Sequence, residues 1–194
     1  MFRIFKSKKK YIEKLESDIH NSDITIKTQL TEIISLRNEN IFLSNLLENT
    51  INISKSSTRY QLLKTLNITK DNINNLVLIY IENYKNHITF HLKDGYTKNR
   101  QSDLSITIVV DSNNNFEILS IPDKRNYGSG YGSVLMEEVI SLAHQTGVKE
   151  IYGTLTAPKD QEHKKRLIGF YQTKFKFNIK FSKGTNPGTL YKKL

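Results

Sequence analysis

No glycine precedes Gly95 and no proline precedes Pro122, so the first half of this 194-residue chain lacks the two residues that most readily interrupt regular structure. Long helix is permitted there, and the pattern asks for it. Counted in sevens from Ile12, apolar residues stand at Ile12, Leu15, Ile19, Ile26, Ile33, Leu36, Leu43 and Leu47, the a and d positions of a coiled coil. Ser22, Gln29 and Asn40 interrupt the stripe, which nevertheless stays in phase across the polar cluster from Asn21 to Asp23. One extended helix over residues 1–50 is therefore predicted, not two short ones. A helix of about 40 residues is about 60 Å long, too long to fold back within so small a domain, so its stripe needs a partner. A homodimer through this helix is the expectation, and Asn40 at an a position is compatible with a parallel pair.

Residues 51–75 read as a linker with a short helix over Arg59 to Leu66, and from residue 76 the period changes. Leu76 to Glu82 is a nearly continuous apolar run, while Ile88, Phe90 and Leu92 alternate with His87, Thr89, His91 and Lys93. Asp94 and Gly95 supply a turn. Ser105–Val110 and Phe116–Ile121 form a hairpin about the turn Asp111 to Asn115. After Pro122 the period is helical, with Leu135, Val139, Leu142 and Ala143 on one face and Gly147 as the stop. A strand over Ile151–Thr156, a helix over Asp160–Thr173 and two strands over Phe175–Phe181 and Thr189–Lys192 complete an α+β outline: a mixed, mostly antiparallel sheet flanked by helices, occupying residues 76–194.

Several classes of function fall away on composition. With no cysteine there is no disulfide, thiolate catalysis or cysteine-ligated zinc, and the chain suits a reducing cytoplasm. No apolar run approaches the roughly 20 residues that span a bilayer, and the basic start from Arg3 to Lys10 leads into no signal-peptide stretch, so a soluble cytoplasmic protein is expected. The net charge of +10 comes from lysines scattered through the termini and surface turns of a chain rich in Lys, Asn and Ile. Nucleic acid is not the expected partner; a basic surface does suit a polyanionic cofactor.

Gly128, Gly130 and Gly132 lie at alternate positions between a predicted strand and a predicted helix. Residues without side chains let a phosphate approach the backbone, and the N–H groups of a first helical turn attract it. A phosphate loop of the nucleotide-hydrolase kind would need lysine after the last glycine, where Ser133 stands. A Rossmann site would need a parallel βαβ unit, and here a hairpin meander precedes the glycines.

The stretch Tyr127, Gly128, Ser129, Gly130, Tyr131, Gly132, Ser133, Val134, Leu135, Met136 resembles the cofactor motif of the GNAT superfamily of N-acyltransferases. Ala143, Gly147, Val148 and Ile151 are similar to the end of that family's third helix and the start of its fifth strand. Phe170 and Tyr171 resemble the Phe-Tyr near the end of its fourth helix, and residues 190–194 its last strand. Two positions depart from the pattern. Tyr127 stands where the motif opens with Gln or Arg, and Phe-Tyr is followed by Gln172, Thr173, Lys174 and Phe175 in place of three residues and Gly-Phe.

The resemblance implies direct transfer of an acetyl group from acetyl-CoA to an amine acceptor held in a splayed gap between the family's fourth and fifth strands. It also implies that the backbone of Leu119 and Ile121 pairs with the pantetheine arm. Tyr127, Gly128, Ser129, Gly130, Tyr131, Gly132 and Ser133 would hold the pyrophosphate. Tyr171 is the implied general acid and Glu117 a candidate base, with deprotonation through water as the alternative. No metal is expected: His87 and His91 lie about 13 Å apart along one strand and read as surface residues, while His144 and His163 have no partners at ligand spacing. The competing reading is a GNAT-fold scaffold, catalytically weak or inactive, that associates through its helix.

Overall fold

The computed structural model describes residues 2–55, 59–70, 73–94, 103–120, 130–182 and 187–194, in two compact units, Met1–Ser44 and Asn45–Leu194. The first unit is helix throughout its described length. Helix α1 runs without a break from Phe2 to Lys55, five residues past its expected end, as one helix of roughly 80 Å. Its serines and threonines do not break it, because Ser22, Thr25, Thr28 and Thr31 bond back to the carbonyls four residues earlier. Between Lys8 and Ser44 every residue is exposed except Phe42, which is half-buried.

Within the second unit the last turns of α1 bury Leu46 and Ile53, one heptad apart. Thr50 in the Asn/Ser/Thr-rich stretch donates to the Leu46 carbonyl, so that polar run stays helical. An eight-stranded sheet follows, in the order β1-β2-β3-β4-β5-β6-β8-β7. Its strands are β1 (Tyr60–Lys70), β2 (Ile73–Tyr84), β3 (His87–Asp94), β4 (Leu104–Val110), β5 (Phe116–Ser120), β6 (Glu150–Leu155), β7 (Asn178–Lys180) and β8 (Gly188–Lys193). Every neighbouring pair is antiparallel except β5 and β6. The α+β arrangement is the expected one, a mixed and mostly antiparallel sheet with helices, and the strands that the resemblance numbers fourth and fifth are here β5 and β6, because β1 is one strand more than expected.

That extra strand corrects the short helix expected over Arg59 to Leu66. Pairing with β2 slips between Leu62 and Lys64, so Leu62 and Leu63 are both exposed and the period-two signature is lost. Between β2 and β3 there is only the Lys85–Asn86 turn, with Lys85 at φ 57°. The resemblance implies two helices in this connection, shaping an acceptor pocket, and none is present there.

One face of the sheet carries the main core, built on Phe90, Leu92, Ile106, Ile108, Phe116 and Ile151 and covered by helix α2 (Tyr131–Gln145) through Leu135, Met136, Val139 and Ala143. Leu78 and Tyr80 are buried outside that cluster, so β2 and β3 are covered on both faces. From β4 to β8 the second face is half-open, with Glu117 and Tyr152 partly covered and Leu119, Thr154, Thr189 and Tyr191 exposed.

Helix α3 (Gln161–Leu167) starts at an Asp160 cap whose carboxylate accepts the His163 N–H at 2.7 Å. It continues as one π-helical segment, Ile168–Lys174. This shortens the strand expected over Phe175–Phe181 to Asn178–Lys180, and it resolves the departure after Phe170-Tyr171. A π segment absorbs one extra residue. Lys176, at φ 60°, then takes the left-handed position where the family has glycine, and Phe177, almost fully buried, takes the following Phe.

Candidate active site

The site is set by where β5 and β6 stop pairing. Phe116, Glu117 and Ile118 lie opposite Ile151, Tyr152 and Gly153, and the pairing ends there. Beyond it Thr154 and Leu155 remain paired with β8, and Ser120 remains paired with Thr107 of β4. The two strands therefore diverge from a crotch at Ile118 and Gly153. Only glycine fits that crotch: a Cβ on residue 153 would lie 2.7 Å from the Ile118 carbonyl oxygen.

A bulge widens the opening. Ile108 pairs with Ile118 and Thr107 with Ser120, which leaves Leu119 as the extra residue, nearly half exposed. Bulged backbone at the centre of a sheet leaves polar groups that neither neighbouring strand takes up. Leu119 is the residue whose backbone the resemblance implies as a contact; its companion Ile121 lies outside the described residues.

Helix α2 begins at the same end of the sheet. The Tyr131 hydroxyl donates to Asp94 at the end of β3 at 3.2 Å, and a Cβ on Gly132 would lie 3.9 Å from Leu104 at the start of β4. Gly130 caps the helix at φ 81°, a conformation that favours glycine, and its carbonyl accepts the N–H groups of Ser133 and Val134. Among the described residues no side chain caps this end, and no acid lies in the first turn to repel an incoming anion. Gly130, Tyr131, Gly132 and Ser133 are thus placed at a helix N-terminus, as the motif implies. Tyr127, Gly128 and Ser129 lie outside the described residues. The Tyr131 side chain is a buried core residue, so only its backbone faces the helix end.

Phe170 lies beside this first turn, its ring 3.5 Å from a Cβ built on Gly132. The next residue, Tyr171, is 6% exposed, packed edge-on against Phe170 and Phe177, with its carbonyl accepting the Phe177 N–H at 2.9 Å. Tyr171 belongs to the core face of the sheet, whereas Glu117 alternates onto the opposite face between Phe116 and Ile118. The two candidate proton-transfer residues therefore lie on opposite faces of the sheet. Beside Glu117, the Tyr152 hydroxyl donates to Asp111 at 3.1 Å, and burial together with that bond raises the phenol's pKa. The Asp111 carboxyl is held below its ordinary value by the N–H groups of Asn115 and Asn113.

Two buried polar clusters were not anticipated from the sequence. His91, expected at the surface, is 5% exposed. Its ring stacks on Tyr80 at 4.7 Å, and Nε2 faces Glu82 Oε2 at 3.2 Å, with Arg59 ion-paired to the same carboxylate. Burial lowers the pKa of His91 against the opposing pull of Glu82. In the second cluster the fully buried Lys93 lies 3.9 Å from Asp103, which also accepts the Asp94 N–H. The available signal was the unbroken apolar run in β2, which gives its neighbour two covered faces. His163 is likewise buried; its Nδ1 accepts the Lys159 N–H. Among the described residues no group of His, Asp and Glu could hold a metal ion, and no helix is long and apolar enough to cross a membrane.

No family model and no curated protein matches the chain. Among solved structures it is similar to an IAA acetyltransferase from Bacillus cereus, at 14% identity and TM-score 0.44 over 57% of this chain and 79% of that one. It is also similar to an N-acetyltransferase from Campylobacter jejuni, at 21% identity and TM-score 0.41 over 57% and 70%. A GNAT family acetyltransferase from Elizabethkingia anophelis with acetyl-CoA bound gives 14% identity and TM-score 0.39 over 56% and 77%. These scores lie below 0.5, and the site is read from its own geometry.

Proposed function

We propose that the chain is an N-acyltransferase that moves an acetyl group from acetyl-CoA to an amine. The observation that carries this reading is the divergence of β5 and β6 at Ile118 and Gly153, open at the same end of the sheet as a helix N-terminus with no acid in its first turn. A long donor with a polyanionic end fits both: an extended arm beside the bulged backbone at Leu119, and a pyrophosphate on the N–H groups of the first turn of α2.

In the proposed reaction the amine nitrogen attacks the thioester carbonyl carbon, a C–N bond forms and the C–S bond breaks. The proton shed by the nitrogen passes to Glu117, directly or through water. The departing thiolate takes a proton from Tyr171. Backbone placement of the two substrates supplies most of the acceleration, by holding them within reach at a fixed angle. With Glu117 on the half-open face, the acceptor enters from there. The carboxylates of Glu117 and Asp111 favour a cationic amine on that side.

Titration calorimetry of the full chain with acetyl-CoA tests the first step. Saturable binding by the unaltered chain, lost in Gly130→Glu, is the expected result. Absence of binding by the unaltered chain overturns the reading. Binding without release of free CoA across a panel of amines would favour the scaffold alternative, which the missing helices between β2 and β3 motivate.

A further inference from the structure

We infer that α1 pairs with α1 of a second copy of this chain as a parallel, in-register, two-stranded coiled coil over residues 12–47. The inference is independent of the catalytic reading. Its basis is the apolar stripe, which is presented on a continuous helix and exposed at every position from Ile12 to Leu47.

The layer chemistry selects two strands. Ile12, Ile19, Ile26 and Ile33 are β-branched at a, and Leu15, Leu36 and Leu43 stand at d, the combination that favours parallel dimers. Ser22 at d brings no unsatisfied hydroxyl into the seam, because its Oγ already donates to the Asp18 carbonyl at 2.9 Å. Gln29 at d and Asn40 at a each meet their own equivalent when the register is zero, and such amide pairs penalise any other parallel register.

Charge selects the direction. In a parallel pair each g residue faces the e residue five positions on in the other chain, which sets Glu32 against Arg37 of the second copy, twice by symmetry. The like pair Asp18 and Asp23 stands against this at the first g–e step. The best antiparallel alternative matches Asn40 with Gln29 and Ile33 with Leu36, but it sets Glu32 against Glu39 on either side of the centre of the overlap and leaves Arg37 facing Leu30. It gains no attractive pair. Leu30 at e widens the parallel seam, while Ile24, Ile34 and Ile41 at f and b stay outside it.

The chain has no cysteine, so a single introduced one reports cleanly on direction. Full-length Leu15→Cys and Leu43→Cys should each form a same-site disulfide on mild oxidation, and light scattering of the unaltered chain should give twice 22.5 kDa. Ile33→Asp should give the monomer mass with helix content retained by circular dichroism. Arg37→Glu should weaken the dimer by about fivefold, and adding Glu32→Arg should restore it. A monomeric or trimeric unaltered chain overturns the inference. So does failure of both cysteine variants to cross-link, the outcome an antiparallel pair would give.

Discussion

The sheet has two wings of unlike construction, joined at one seam. From β1 to β4 the strands pair along most of their length, with ten aligned residues between β1 and β2 and eight between β2 and β3, and β2 and β3 are covered on both faces. On the other side β6, β8 and β7 reach the first wing through only three aligned residues of β5 and β6, the one parallel contact in the sheet. The first wing is held by redundancy, since any one of its ladder bonds can be lost. The seam has no redundancy. Shortness there opens the gap that serves as the candidate site, and it concentrates the sheet's vulnerability on a few residues.

The sharpest way to break this contrast is Gly153→Ala, which drives a Cβ to 2.7 Å from the Ile118 carbonyl oxygen. Backbone must move, and we expect a loss of about 3 kcal/mol, read as a lower urea midpoint. A loss below about 1 kcal/mol would mean that the seam relaxes freely, and the contrast between the wings would fail. Next is Tyr131→Phe, which removes the 3.2 Å bond to Asp94 and with it one tie between α2 and the first wing. The expected loss is about 1.5 kcal/mol, because a buried carboxylate loses a donor.

His91 tests the first wing through pH. Burial holds its folded pKa below the ordinary value, so the folded state binds this proton less readily than the unfolded state. Its contribution is therefore intact above the unfolded value of about 6.5 and declines as pH falls below it, by at most about 1.4 kcal/mol per pH unit. Urea midpoints at pH 7 and pH 5 should converge in His91→Phe relative to the unaltered chain, which keeps a ring on Tyr80 without the titration. Equal slopes in the two proteins would place His91 in contact with solvent. The smallest effect, of opposite sign, belongs to the second wing: Lys176→Gly should raise stability by about 0.5–1 kcal/mol, because φ 60° costs lysine more than glycine. A neutral or negative result would show that the turn after the π segment is not strained.

Local signals carried most of the architecture. The α1 stripe, the hairpin turn at Asp111, where one carboxylate oxygen accepts both the Asn113 and Asn115 N–H groups, and the stop at Gly147 with φ 69° are each written in adjacent residues. What escaped depends on distant neighbours. Strand β1 is made by β2, and its bulge at Leu63 erased the alternation that would have revealed it. His91 read as a surface residue because alternation reports only that two faces differ, not that one is exposed. The π segment is invisible for another reason: an added residue in a helix leaves no trace in composition, and only the missing glycine after Tyr171 hinted at it. The helix start at Gly130, the strand that carries Glu117 and the helical segment that carries Tyr171 were legible. The gap between β5 and β6 was implied only through the resemblance, and Gly153, which the crotch depends on, had drawn no notice among nine glycines.

A sheet that comes apart at its middle has a thermodynamic side. Past Ile118 the bulged strand β5 is bonded on its β4 edge alone, so its other edge is completed by whatever lies in the gap. A guest there acts as a missing strand and enters the folding equilibrium by mass action: at a hundred times its dissociation constant it adds about 2.7 kcal/mol to the native state. The melting temperature of this protein then becomes a gauge of ligand concentration, and heat alone can rank candidate donors before any reaction is followed.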